Sequence, residues 1–160
     1  MNTRRRILTG LISLSAGLFS AKASHAAAQK NTDSLRFPGD PTDHNVVYQF
    51  NKEDQEYHKA VLYSVGELIR KYGDNVTIVV AVFGKGIHIL AKQPLREVSE
   101  LTKQRVKSLA AYGVKFHACG NTMSSLDWTK DDMLPLAEIV KVGAADVIEL
   151  QEKGYSYISW

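Results

Sequence analysis

Asn75-Val76-Thr77-Ile78-Val79-Val80-Ala81-Val82-Phe83, closed by Gly84-Lys85-Gly86, is the stretch on which the fold turns. Almost every residue in it is β-branched or apolar, and polar residues do not alternate with them. A strand wetted on one side alternates; an unbroken apolar run fits a central strand covered on both faces, as in a parallel sheet. The glycines then force the chain to turn.

Helical patterns flank this strand on both sides. Upstream, His44-Asn45-Val46-Val47-Tyr48-Gln49-Phe50 reads as a strand. Asn51 with Asp54 three residues later resembles a capping box. Tyr57, Val61, Val65, Leu68 and Tyr72 then form one apolar stripe at helical spacing, with Arg70 and Lys71 in the last turn and Gly73 as the stop. Downstream, 87–92 fits neither pattern. Pro94 suits the first turn of a second helix carrying Leu95, Val98, Leu101, Val106 and Leu109 and ending at Gly113. Val114-Lys115-Phe116-His117-Ala118 is the third strand and runs into Cys119-Gly120-Asn121. Thr129 and Asp132 cap a short helical turn up to Leu134. A short strand at 138–142, a helix at 144–153 and a strand at 155–158 complete the order. Strands alternating with helices predict an α/β domain with about five mainly parallel strands and right-handed crossovers.

The amino terminus is set apart from this domain. Arg4-Arg5-Arg6, a mildly apolar run from Ile7 to Phe19 and the small residues Ala26-Ala27-Ala28 follow the order of a secretory signal. Thr3-Arg4-Arg5-Arg6-Ile7-Leu8 looks like a twin-arginine motif. The apolar run of 13 residues is shorter than the roughly 20 that a spanning helix needs. The expectation is therefore a signal peptide at 1–28, cleaved near Ala26 or Ala28, an extended leader at 29–43, and a periplasmic domain at 44–160 without stable membrane insertion. The formal charge of +3 belongs to the signal: beyond residue 28 the chain holds 16 Lys and Arg against 17 Asp and Glu. That balance removes the basic surface that nucleic-acid binding requires.

Chemistry points to the ends of the second and third strands, because ligands of open parallel sheets bind outside the carboxyl ends of the strands. Cys119 is the only cysteine, so no internal disulfide is available. It stands where the chain turns, followed by Gly120, Asn121, Thr122 and Met123, whose backbone N–H groups can converge on a thiolate and lower its pKa. As a lone cysteine it also fits a small buried core residue. His117, two residues earlier on a strand, shares its face and could hold or polarise the thiolate. It fits equally well as a strand residue satisfied by neighbouring backbone. Gly84, Lys85 and Gly86 line the adjacent loop. Residue 89 is Ile where a dinucleotide fingerprint needs glycine, so the loop reads as a turn in which Lys85 adds positive charge. His88 reads as structural, and His44 and His58 as surface residues. His117, Cys119 and Met123 are soft ligands and make copper the alternative metal; no cofactor is otherwise expected.

From Val76 onward the chain resembles the DsrE/DsrF-like, sulfur-relay family. The resemblance rests on the 84–86 loop, on Gly113-Val114-Lys115-Phe116-His117-Ala118-Cys119-Gly120-Asn121-Thr122-Met123, on Asp131-Asp132-Met133-Leu134-Pro135, on Val140-Lys141-Val142-Gly143-Ala144 and on Gly154-Tyr155-Ser156-Tyr157-Ile158. It implies a flavodoxin-like (Rossmann-like) three-layer fold, and a sulfur carrier or sulfurtransferase-like role in which Cys119 takes up sulfane sulfur as a persulfide. It also implies sulfur donors and acceptors, either proteins or small sulfur compounds, and a homotrimer or homohexamer. The alternatives are a binding module for copper or a small anion, and an oligomeric scaffold whose cysteine is vestigial. Trp160, the final residue, is expected to pack against its own domain or across a subunit boundary.

Overall fold

The computed structural model describes residues 40–160. The signal peptide and all but the last residues of the leader lie outside the described residues. Five strands form one parallel sheet: β1 (His44–Phe50), β2 (Val76–Val82), β3 (Lys115–Cys119), β4 (Ala137–Val140) and β5 (Ser156–Ile158), in the order β4-β3-β2-β1-β5. The helices are α1 (Gln55–Tyr72), α2 (Glu100–Ala111), α3 (Gly120–Ser124) and α4 (Gly143–Glu152).

This order dictates where the helices go. From β1 to β4 the chain steps in one direction across the sheet, so right-handed crossovers put every connection on one face. The step from β4 to β5 runs back across the sheet, and the same handedness puts α4 on the other face. Burial follows that division. Val46, Tyr48, Phe50, Ile78, Val80, Val82, Phe116 and Ala118 pack with side chains of α1, α2 and α3 in one core cluster. Val47, Val79 and Ala81 pack with Val147 and Leu150 of α4 in a second, smaller one. Three layers result, as expected of the α/β three-layer class, but one outer layer is a single helix.

Several local expectations shift. Helix α1 is capped by Asp54, whose carboxylate accepts from the Tyr57 N–H at 2.7 Å; Asn51 is three residues too early, and its backbone N–H instead donates to the Tyr57 hydroxyl oxygen at 3.2 Å. Pro94 does not open α2. Ser99 caps it, accepting from the Thr102 N–H, because a side-chain oxygen satisfies a free helical donor and proline only avoids needing one. Of the undecided stretch 87–92, residues 87–90 belong to a 3-10 segment, Gly84–Leu90, that starts in the glycine loop and is buried from Gly86 onward. His58 is a core residue, 1% exposed: it follows Tyr57 on α1 and its Nε2 lies 2.9 Å from the Lys52 carbonyl oxygen. Among the described residues no helix is long and apolar enough to cross a membrane.

Candidate functional site

The two glycine-containing loops do meet. Strands β2 and β3 are neighbours in parallel register, so both loops leave the same sheet edge, and the Gly84 N–H donates to the Thr122 hydroxyl at 3.1 Å. Gly84 holds φ +52° there, a left-handed conformation that glycine adopts without the steric cost of a side chain. Gly86 has a packing role: a Cβ on it would lie 2.6 Å from the Phe50 carbonyl oxygen. Lys85 ion-pairs with Glu53 at 2.9 Å, and Arg96 takes the other oxygen of the same carboxylate. Lys85 beside it, with Arg96, holds the Glu53 carboxyl below its ordinary range. The positive charge that Lys85 brings is thus already shared with an acid.

Cys119 ends β3 and is the N-cap residue of α3. It is 5% exposed. The Gly143 N–H, the first of α4, donates to Sγ at 3.2 Å. Burial pushes the thiol pKa up, but the Thr122 hydroxyl and the N–H groups of Gly143, Thr122 and Asn121 outweigh it, and the net shift is below the ordinary value. Hydrogen bonds to the charged form are what favour it. The sulfur also sits at the amino-terminal ends of two helices, where the macrodipole favours an anion. The Gly84 N–H donates to the Thr122 hydroxyl oxygen, and Thr122 in turn favours the thiolate, so the first loop acts on the thiol through Thr122. Gly143 must be glycine for close approach: a Cβ there would lie 3.0 Å from the Cys119 Cβ and 3.2 Å from Phe83. Gly120 likewise approaches β4, with a Cβ position 3.1 Å from the Val140 carbonyl oxygen.

His117 lies on the same sheet face as Cys119 and is held by carboxylates. Its Nδ1 is 2.8 Å from Asp146 Oδ2, and its Nε2 is 3.6 Å from Glu138 Oε2. Met123 goes elsewhere. It is buried in the large core cluster on the opposite face, so the soft trio of His117, Cys119 and Met123 is divided by the sheet itself. Among the described residues no group of three or more His, Cys, Asp or Glu side chains is placed to hold a metal.

Sequence reasoning reached Cys119, Thr122 and the 84–86 loop, and missed Gly143, Asp146 and Glu138. The run Val142-Gly143-Ala144 before a helical pattern was the available signal for an amino-terminal N–H aimed at a ligand. Nothing local could place Asp146, 29 residues from His117, beside it.

Comparison with known proteins fits this geometry. The comparison with curated proteins returned no match. A solved structure of a protein of unknown function from Methanobacterium thermoautotrophicum is similar, with a TM-score of 0.67 and 26% sequence identity over 74% of this chain and 100% of that one. The model of the DsrE/DsrF-like family matches residues 44–160, the whole domain from β1 to the last residue, Cys119 included. The chain belongs to the DsrE/DsrF-like family.

Proposed function

We propose that this protein is a periplasmic sulfur carrier that holds sulfane sulfur as a persulfide on Cys119. Family membership suggests a role related to sulfur relay. One observation carries the finer reading: the Gly143 N–H, the first of α4, donates to Sγ of a nearly buried cysteine at 3.2 Å, and the polar groups of Thr122 and Asn121 beside it also favour its charged form. A core cysteine needs no donors. A sulfur that alternates between thiolate and persulfide needs them, because each transfer starts or ends with the charge on Sγ. The Sγ thiolate attacks the outer sulfur of a persulfide R–S–SH; the new Sγ–S bond forms as the R–S bond to that sulfur breaks, and R–S⁻ leaves with the electron pair. The sulfur is moved, with no net oxidation.

Incubating the mature protein with glutathione persulfide and weighing it intact tests this reading. Gain of sulfur mass by the wild type, lost completely in Cys119→Ser, is the expected outcome; no adduct, or one that survives the substitution, overturns it.

The signal-like order of residues 1–28 supports delivery to the periplasm, where donors and acceptors would differ from those of the cytoplasm. Assembly into a homotrimer or homohexamer is part of the same reading, and surface residues support it. The Trp160 carbonyl is tied to Lys52 Nζ at 2.6 Å while the residue remains 55% exposed, and Ile148 and Tyr157 also face solvent in the single chain. Large aromatics of this kind are enriched where subunits meet. Light scattering should give a closed oligomer at micromolar concentration, weakened by deletion of Trp160; a monomer refutes the assembly.

A further inference from the structure

Sulfur uptake as read above leaves a proton unassigned. R–S⁻ departs as a thiolate from a site that is nearly closed, and an acceptor thiol must lose its proton before it can attack the persulfide. A group beside Cys119 that gives and takes one proton would serve both half-reactions.

His117 has the surroundings of such a group. It sits two residues before Cys119 on β3, on the face covered by α4, with its side chain 11% exposed. A carboxylate can only accept, so Nδ1 carries the hydrogen in the 2.8 Å contact with Asp146, whose own side chain is 12% exposed. This fixes both the tautomer and the ring plane, as an orienting acid does for a base. Nε2 is the nitrogen left for exchange. It faces Glu138, whose side chain is 59% exposed, and so lies on the side from which a thiol could arrive. The charged and titratable groups around the ring are Asp146 from α4, Glu138 from β4, and Cys119 and Lys115 on its own strand; β2 presents the uncharged Ala81 opposite it.

The two buried histidines lack this arrangement. His58 and His88 each leave Nδ1 without a hydrogen-bond partner, so neither ring is held by an acid. Only His117, among the described histidines, has both nitrogens near carboxylates.

We infer that His117, positioned by Asp146, is the proton carrier of sulfur transfer at Cys119; this rests on the persulfide reading. In uptake the Cys119 thiolate takes the outer sulfur of R–S–SH while Nε2–H of the imidazolium protonates the departing R–S⁻, leaving Cys119–S–SH, neutral His117 and RSH. In release a thiol R′–SH gives its proton to Nε2 and R′–S⁻ attacks the outer sulfur. The Sγ–S bond breaks, and thiolate and imidazolium are restored as R′–S–SH departs. Atoms and charge balance in both directions, and no oxidant is needed.

The test follows the rate of sulfur transfer between the mature protein and small thiols, loading from glutathione persulfide and unloading to free cysteine, from pH 5 to 9. Wild type, His117→Gln, Asp146→Asn and Asp146→Glu are compared after circular dichroism and urea curves confirm folding. His117→Gln should slow both directions by about a hundredfold and flatten the pH profile, while the final extent of loading is unchanged. Asp146→Asn should fall between it and wild type with a displaced profile, and Asp146→Glu should recover part of the rate. A residue that merely supports the fold would not move the profile. If Asp146→Asn does not fold, His117→Gln and His117→Asn carry the test. Variants with wild-type rates and profiles, beside a wild type that loads, overturn the proton carrier alone. A wild type that takes up no sulfur overturns the persulfide reading, and the proton carrier with it.

Discussion

The two faces of the sheet divide the labour. The face under α1, α2 and α3 is built from Phe50, Phe116, Tyr48 and branched aliphatics at nearly complete burial, with the 3-10 segment Gly84–Leu90 folded in. The apolar cluster under α4 is only Val47, Val79, Ala81, Val147 and Leu150, and that face carries His117 and Cys119 at its β3 end. The first face holds the domain together; the second, covered by one helix, brings a helix terminus against the cysteine. A thick apolar layer leaves no polar group accessible, whereas a single crossing helix puts its amino-terminal N–H groups on one strand end and leaves the neighbouring edge open. The difference comes from chain direction: three crossovers step one way and only the last returns.

Leucine truncations compare the faces at equal chemistry. Leu62→Ala, on the thick face, should cost about 3–5 kcal/mol, and Leu150→Ala, under α4, nearer 2 kcal/mol, since the thinner layer can collapse into the cavity. Urea denaturation measures both. Equal losses would break the comparison, and a larger loss at Leu150 would invert it.

Histidines sharpen it by a smaller margin. On the thick face, burial lowers the pKa of His58, and burial with the nearby Arg96 lowers that of His88, both from 6.5. The unfolded chain therefore takes up protons before the folded one does. The stability these residues contribute is fully present above pH 6.5 and is lost as pH falls through their folded values, at no more than about 1.4 kcal/mol per pH unit for each. Urea midpoints from pH 7.5 to 5 should decline, and His58→Gln should shrink the decline without abolishing it, because His88 has the same sign. An undiminished decline in His58→Gln would mean that this ring is not held neutral by burial.

Much of the thick face was legible in the sequence. The apolar run 76–82 and the stripe Tyr57, Val61, Val65 report burial directly, because a fully covered strand and a helix packed on one side leave different periodicities. The errors were at helix starts. Ser99 and Asp54 win over Pro94 and Asn51 because a cap is decided by which oxygen reaches a free N–H, and that depends on where the neighbouring strand releases the chain. His58 was misjudged because a polar residue beside an apolar stripe looks exposed until Phe50 at the end of β1 and the backbone of Lys52 close over it.

By itself the sequence determined the parallel α/β class and the pairing of two glycine loops at one sheet edge, and it brought Cys119 and Thr122 to that edge as candidates for the chemistry. These follow from local rules: apolar periodicity, turn residues, and the fact that parallel strands end on the same side. Only the tertiary structure decided what surrounds the sulfur. The return of α4 across the sheet brings Gly143 onto Sγ and Asp146 onto His117, and α3 carries Met123 to the opposite side from its two supposed partners. Contacts between residues more than twenty positions apart depend on strand order and crossover direction, and no local pattern in the chain encodes them.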